Sequence, residues 1–109
     1  KNSFICLFSP FSDGPAACAD LTLPAAAWGE FEGTWVNFQG RAQRVRRALT
    51  PPGVALEGWR FMEELMRRMG APGSRGTSGD VLAEIAAKVP AFAGISVKMM
   101  GALGAQVSG

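Results

Sequence analysis

The pattern opens on Phe4-Ile5-Cys6-Leu7-Phe8, a continuous apolar run of the kind a strand shows when both its faces are covered, as in the middle of a parallel sheet. A strand of that type needs neighbours. Nothing downstream reads as a βαβ unit that could supply them, which leads to the expectation that Lys1 is not a natural beginning and that the stretch is the tail of a larger α/β protein. Residues 9–15, Ser-Pro-Phe-Ser-Asp-Gly-Pro, are dense in turn formers. Residues 16–20 suit one helical turn, and residues 21–23 a short strand stopped by Pro24. A loop over residues 25–32 leads into the clearest signal of the chain.

There, Thr34, Val36 and Phe38 alternate with Trp35, Asn37 and Gln39, so the strand has two different faces. Asn37-Phe38-Gln39-Gly40 supplies a four-residue reversal, with Gly40 free to take positive φ. On the return strand Ala42 and Arg44 share one face and Gln43, Val45 and Arg47 the other, until Pro51-Pro52-Gly53 ends any ladder. The period then changes to helical over residues 54–69. Trp59, Met62, Leu65, Met66 and Met69 form a stripe, while Glu57, Arg60, Glu63, Glu64, Arg67 and Arg68 take the other surface. Glu63 with Arg67 and Glu64 with Arg68 are spaced as favourable ion pairs, and Gly70 is placed to stop the helix. A small, polar linker, expected to be mobile, covers residues 71–78. Thr77-x-x-Asp80 reads as a capping box opening a second helix along Val81, Leu82, Ile85, Ala86 and Val89, ended by Pro90. Ile95, Met99, Leu103 and Val107 suggest a third, although Gly101 and Gly104 each cost about 1 kcal/mol there.

Composition narrows the class. With 109 residues, 48% hydrophobic and 18% charged, the chain has room for one core and is globular rather than disordered. No apolar run approaches the roughly 18 to 20 residues of a membrane span, so no direct membrane insertion is expected, and no targeting segment is read at the start. A net charge of +2 is too small to imply a polyanionic partner, but Arg41, Arg44, Arg46 and Arg47 cluster locally. They could hold phosphates or a nucleic-acid backbone; a solvated edge-strand face is the plainer expectation. Two cysteines and no histidine cannot complete a tetrahedral zinc site or ligate an iron-sulfur cluster, and they exclude Ser-His and Cys-His nucleophile arrangements. Cys6 and Cys18 are expected as buried free thiols. Trp28, Trp35 and Trp59 are expected in core or interface packing and the five methionines as adaptable filler. Glu30 and Glu32 point to one side of an extended segment, with a solvated surface loop as the favoured reading. The glycines form neither a GxxxxGK[ST] nor a GxGxxG loop. No catalytic or metal-ligating residue is assigned.

One set of spacings is more specific than any of these. Leu23-Pro24, Glu30-x-x-Gly33-Thr34-x-x-Asn37, Gly40-Arg41-x-Gln43, Pro51-Pro52-Gly53 and Trp59, preceded by Ala19-Asp20, resemble the late segment of the molybdopterin oxidoreductase superfamily over residues 3–70. The resemblance implies that the first strand closes a Rossmann-like domain. Two branches fit: the C-terminal part of the large iron-sulfur subunit of NADH-quinone oxidoreductase (respiratory complex I), and the catalytic subunit of a formate dehydrogenase or nitrate reductase. The short stretch after Pro90 and the Thr-Trp-Val-Asn and Gly-Arg-Ala-Gln wording lead to the complex I subunit as the expectation.

The expected fold is therefore α+β, mixed: residues 1–24 end a Rossmann-like domain, 25–53 form a loop and extended β-hairpin, and 54–109 a helical tail of two to three α-helices, all a fragment of a larger α/β protein. The resemblance implies no cofactor in this segment, iron-sulfur clusters elsewhere in the parent chain, and other complex I peripheral-arm subunits as partners, at the cytoplasmic face of the bacterial inner membrane. Thr34, Asn37, Arg41 and Gln43 are candidate cofactor contacts only where a molybdopterin is retained. A molybdopterin-dependent oxidoreductase fragment and a small nucleic-acid-binding module are the alternatives. Exposed apolar faces also lead to the expectation of self-association.

Overall fold

Leu7 and Phe8 need a partner strand, and β1 (Cys6–Ser9) finds it in β2 (Leu21–Pro24), which runs parallel to it in the register Cys6↔Leu21 to Ser9↔Pro24. A computed structural model describes residues 3–71 and 75–108 of the chain. The neighbour that the sequence did not offer thus arrives without a crossover helix. Residues 10–20 make the return through a 3-10 turn, Gly14–Cys18. Asp20 closes it, its Oδ2 accepting from the Ile5 N–H at 2.8 Å and its own N–H donating to the Ile5 carbonyl at 2.8 Å. Both cysteines are exposed rather than buried: Cys6 opens β1 of a sheet with two strands among the described residues, and Cys18 ends the 3-10 turn.

The hairpin is as the alternation implies: β3 (Gly33–Val36) against β4 (Arg41–Val45), antiparallel, from Gly33↔Val45 to Val36↔Ala42. Gly40 takes φ +75° and donates to the Asn37 carbonyl at 2.9 Å. The Asn37 side chain fixes the same reversal, its Oδ1 accepting from the Gln39 N–H at 3.0 Å and the Arg41 N–H at 2.9 Å. Asn37→Ala removes both acceptors at an exposed turn. It is expected to cost about 1 kcal/mol and lower the melting temperature by roughly 4 °C, with Asn37→Asp recovering most of the loss. Thermal unfolding followed by circular dichroism reads the ranking.

β4 is not an edge. The sheet order is β3-β4-β5, with β5 (Ala105–Gln106) antiparallel to β4 in the register Arg41↔Gln106 and Ala42↔Ala105. The long third helix is therefore absent. It is replaced by one turn, α3 (Val97–Met100), followed by Gly101 at φ +50° and Gly104 at φ +79°, which turn the chain back onto the sheet.

The first long helix also starts later than its periodicity suggests. Leu56 is held in a parallel bridge to Ala25, its N–H donating to the Pro24 carbonyl at 3.2 Å and its carbonyl accepting from Ala26 at 2.8 Å. Leu56 and Glu57 are thereby kept out of the helix, and α1 runs Gly58–Arg68. It is seated by Phe61 stacked on Phe8, centroids 4.7 Å apart. The described part of the linker is not loose: Arg75 donates its N–H to Glu63 and its guanidinium to Glu84. Residues 72–74, the centre of the stretch expected to be mobile, lie outside the described residues. α2 (Ser78–Lys88) opens with the anticipated box, Thr77 Oγ1 accepting from the Asp80 N–H at 3.2 Å and Asp80 Oδ2 from the Thr77 N–H at 2.8 Å.

The core is small and lies on one side: Ala42, Leu82, Ile95 and Met100, with Phe92, Val97, Ala105 and Val107 packed around them. It joins β4 and β5 to α2 and α3, while α1 buries no residue. Only Met100 among the methionines fills the core; Met62, Met66, Met69 and Met99 are exposed. Among the described residues, two sheets and three helices make a mixed α+β fold. Among the described residues no helix is long and apolar enough to cross a membrane.

Candidate functional site

The hairpin register sorts its side chains before any chemistry is considered, since paired residues of antiparallel strands project to the same face. Thr34 pairs with Arg44 and Val36 with the buried Ala42, which turns that face toward the core. Trp35 pairs with Gln43 on the opposite face, together with Arg41 and Asn37 by alternation. Of the four candidate cofactor contacts, three therefore share a face and Thr34 stands on the other. Two of them also have structural work: Asn37 holds the turn, and Arg41 Nη1 donates to the Leu103 carbonyl at 3.0 Å. Thr34 and Gln43 line separate clefts. The four residues thus do not share one face of the hairpin.

The arginines divide in the same way. Arg41 and Arg44 point to opposite faces, Arg44 is paired with Glu32 at 3.3 Å, and Arg46 and Arg47 lie beyond the end of β4. They do not make one basic surface.

Between the core face of the hairpin and α2 lies an apolar cleft of about 450 Å³, walled by Phe8, Phe31, Trp59, Leu82 and Ile85, with Glu32, Thr34 and Ser78 as its polar groups. Its volume is within the range of small-molecule sites. Trp59 closes one end, and its indole N–H is buried without a hydrogen-bond partner among the described residues. On the far face of β3, Trp28, Phe31 and Trp35 border a second cleft with Gln43 and Val45. Trp28 and Trp35 are 83% and 58% exposed, so of the expected core or interface packing the core alternative falls away for both, and Phe31 stacks on Trp35 with centroids 6.3 Å apart.

Glu32 and Glu57 form the polar seam at the cleft's edge, around a notch of about 140 Å³. Glu32 keeps its side chain 41% exposed, whereas Glu57 is not the solvated group that the sequence suggested. Glu57 is 5% exposed: as the residue before α1 it has extended backbone, φ −66° and ψ 138°, and its carboxylate accepts from the Glu32 N–H at 3.2 Å and from Arg60 Nε at 3.1 Å. Glu32 Oε1 accepts from Arg44 and from Ser78 Oγ, both at 3.3 Å. Glu30 is half-buried and caps its own loop, accepting from the Ala27 N–H at 2.8 Å. The seam thus ties the hairpin to α1 and α2 by neutralised pairs. Sequence reasoning missed Glu57 because it sits at a helix start set by the Leu56–Ala25 pairing, and Ser78 because its partner Glu32 lies 46 residues earlier in the chain. The available signal was Glu57's place just after Pro51-Pro52-Gly53, where an N-terminal cap is as natural as a helix interior.

Two other carboxylates are pulled down to about 2 from an ordinary 4.5: Glu64 by its hydrogen bonds to Arg67 and Arg68, and Glu84 by those to Arg75 and Lys88. The observed pairing of Glu64 with both arginines replaces the expected Glu63–Arg67 pair, since Glu63 is turned to Arg75. A carboxylate with a lowered folded pKa stabilises above its unfolded pKa, and that contribution is lost as pH falls through the folded value. The difference in melting temperature between wild type and Glu84→Gln is accordingly expected to be full near pH 6 and to vanish as pH falls from about 4.5 to about 2. It stays small, because the pair is solvated. A difference that grows on acidification would contradict the pairing.

Residues 1–68 match the family model described as Molybdopterin oxidoreductase. The chain is 38% identical over 93 residues to the F420-dependent formate dehydrogenase 2 subunit alpha of Methanococcus maripaludis, covering 84% of this chain and 14% of that protein. It is 34% identical over 99 residues to the F420-dependent formate dehydrogenase subunit alpha of Methanocaldococcus jannaschii, covering 89% and 15%. To the mitochondrial NADH-ubiquinone oxidoreductase 78 kDa subunit of Candida albicans it is 39% identical over 71 residues, covering 65% and 10%. The chain thus spans about a seventh of the length of the formate dehydrogenase subunits it matches. The matched residues run from β1 to the end of α1 and include the hairpin with its Glu30-to-Gln43 spacing, and on that ground the chain belongs to the molybdopterin oxidoreductase family.

Proposed function

We propose that this chain is a structural segment of the large iron-sulfur subunit of an NADH-quinone oxidoreductase, serving electron transfer from NADH to quinone without catalytic residues of its own. The observation that carries the reading is the use made of the family motif. Asn37 commits its side-chain oxygen to two backbone N–H groups, and Arg41 ties β4 to the Leu103 carbonyl that precedes β5. A motif whose polar atoms are engaged in holding a hairpin suits a scaffold better than a cofactor cradle. The likeness to the Candida albicans 78 kDa subunit supports the same branch. In this reading the iron-sulfur clusters are held by other parts of the parent chain, the partners are other peripheral-arm subunits, and the site of action is the cytoplasmic face of a bacterial inner membrane.

The second reading is a segment of a molybdopterin-dependent formate dehydrogenase, favoured by identities of 34–38% to formate dehydrogenase alpha subunits over most of this chain. The native polypeptide that contains this segment separates the two by intact mass and elemental analysis. Iron without molybdenum or tungsten, in a protein that co-purifies with an NADH-oxidising assembly, is the expected result. Molybdenum or tungsten together with formate oxidation would move the assignment to the second reading.

A further inference from the structure

β1, β2 and α1 form one lobe of the fold, joined by the Phe8–Phe61 stack, and the β3-β4-β5 sheet with α2 and α3 forms the other. Among the described residues, no backbone-to-backbone hydrogen bond crosses from one lobe to the other. Nor do the lobes share a core. Ala42, Leu82, Ile95 and Met100 all belong to the second lobe, while α1 buries no residue. Between the lobes lies the apolar cleft of about 450 Å³, with Phe8, Ala25 and Trp59 on one side and Thr34, Leu82 and Ile85 on the other. An open space where a packed interface would stand leaves each side short of dispersion contacts. The Trp59 indole N–H is buried there without a partner among the described residues, a group that gains a water when the two sides part.

We infer that the β1-β2-α1 lobe swings away from the second lobe as a unit, short of global unfolding, and that Arg75 is the latch that sets how often the cleft opens. Polar groups do the joining that a core would otherwise do. The Glu57 carboxylate, just before α1, accepts from the Glu32 N–H, just before β3, at 3.2 Å. Arg75 makes the other link: its N–H donates to Glu63 on α1, and its guanidinium donates to Glu84 on α2. These two bonds act in series through one residue, so breaking either releases α1 from α2. Segments with few buried apolar contacts are the ones that open below the global free energy. The first lobe fits that description, and the second lobe, which holds the core, does not.

Native-state hydrogen exchange of the 109-residue chain, read amide by amide by NMR, tests this. Relative to their intrinsic rates, the amides of α1 and of the β1-β2 ladder are expected to exchange as one group, at least about tenfold faster than those of β4 and α2. The Trp59 indole N–H is expected to exchange with that group. Arg75→Ala removes the guanidinium bond to Glu84 and is expected to speed the exchange of the first lobe about threefold, the scale of one partly exposed ion pair, with β4 and α2 unchanged. Glu63→Ala cuts the other half of the same link and is expected to have a similar effect. Because the two bonds are in series, the double variant is expected to exchange no faster than either single one. Arg75→Lys keeps a cation within reach of Glu84 and is expected to lie between wild type and Arg75→Ala. Uniform protection across both lobes overturns the proposal. So does an Arg75→Ala effect that is absent, that spreads equally to β4 and α2, or that adds in full to that of Glu63→Ala. A variant that loses its fold altogether, as read by circular dichroism, also overturns it, since Arg75 would then hold the whole chain and not a latch.

Discussion

Gly104→Ala is expected to cost the chain about 3 kcal/mol and to detach β5 from the sheet. Gly104 has φ +79°, where an alanine costs about 1 kcal/mol for the backbone alone. The larger part is steric. A Cβ at that position would stand 2.6 Å from the Ala42 carbonyl oxygen and 2.8 Å from Gln43 Cγ. The first of these atoms is the backbone of the central strand and cannot give way without shifting β4. Ala42 is fully buried and pairs with Ala105, so the shift is transmitted into the core. Against a total stability of roughly 5 to 15 kcal/mol for a domain, that loss is a large fraction, and urea unfolding followed by circular dichroism measures it. Gly53→Ala is the control: Gly53 has φ +55° but nothing within 4 Å of the added Cβ, so it keeps only the backbone cost of about 1 kcal/mol. Equal costs at the two positions would mean that β5 does not pack on β4 as described.

The same glycine marks where sequence reading reached its limit. The hairpin was legible because each of its determinants is local: alternation over six residues, an Asn at the start of the reversal and a Gly at its end. The capping box at Thr77 and Asp80 was legible for the same reason. β5 was not, since Ile95, Met99, Leu103 and Val107 keep a helical spacing, and only the two glycines argued against it. What settles the matter is a close approach to Ala42, more than sixty positions earlier in the chain. The start of α1 was hidden likewise, by the pairing of Leu56 with Ala25. The family signature could be read because its spacing is linear, whereas the polar seam beside it could not. Glu32, Glu57 and Ser78 come from three separate stretches of the chain, and their hydrogen bonds follow from how those stretches meet. The exposed thiols and tryptophans carry a related lesson: residue type predicts burial only where the fold supplies a cover.

Leu82→Ala tests the core from the other side and is expected to cost about 3 kcal/mol. Leu82 is 2% exposed and packs with Ala42, Ile95 and Met100, so it is the α2 residue that joins the helix to both β4 and the turn at α3. Truncating a buried leucine costs the transfer of the lost carbons plus whatever cavity remains, in all about 2 to 5 kcal/mol. Here the lower half of that range applies, because Leu82 also floors the open cleft and the vacated space can merge with it instead of persisting as a sealed void. Helix formation itself is not weakened: alanine is the better helix former, and the Thr77 and Asp80 cap is untouched. Any loss therefore reports packing. Ile85→Ala, one turn further along α2 at a position 37% exposed, removes the same number of carbons from the cleft wall and is expected to cost under about 1 kcal/mol. Urea titration distinguishes two ways for Leu82→Ala to weaken the chain. A lower midpoint at an unchanged slope means a looser core, while a smaller slope means that α2, α3 and β5 no longer unfold together with the hairpin. Equal costs for the two truncations would place the true core in the cleft rather than behind it, and the cleft would then be packed rather than free to take a ligand.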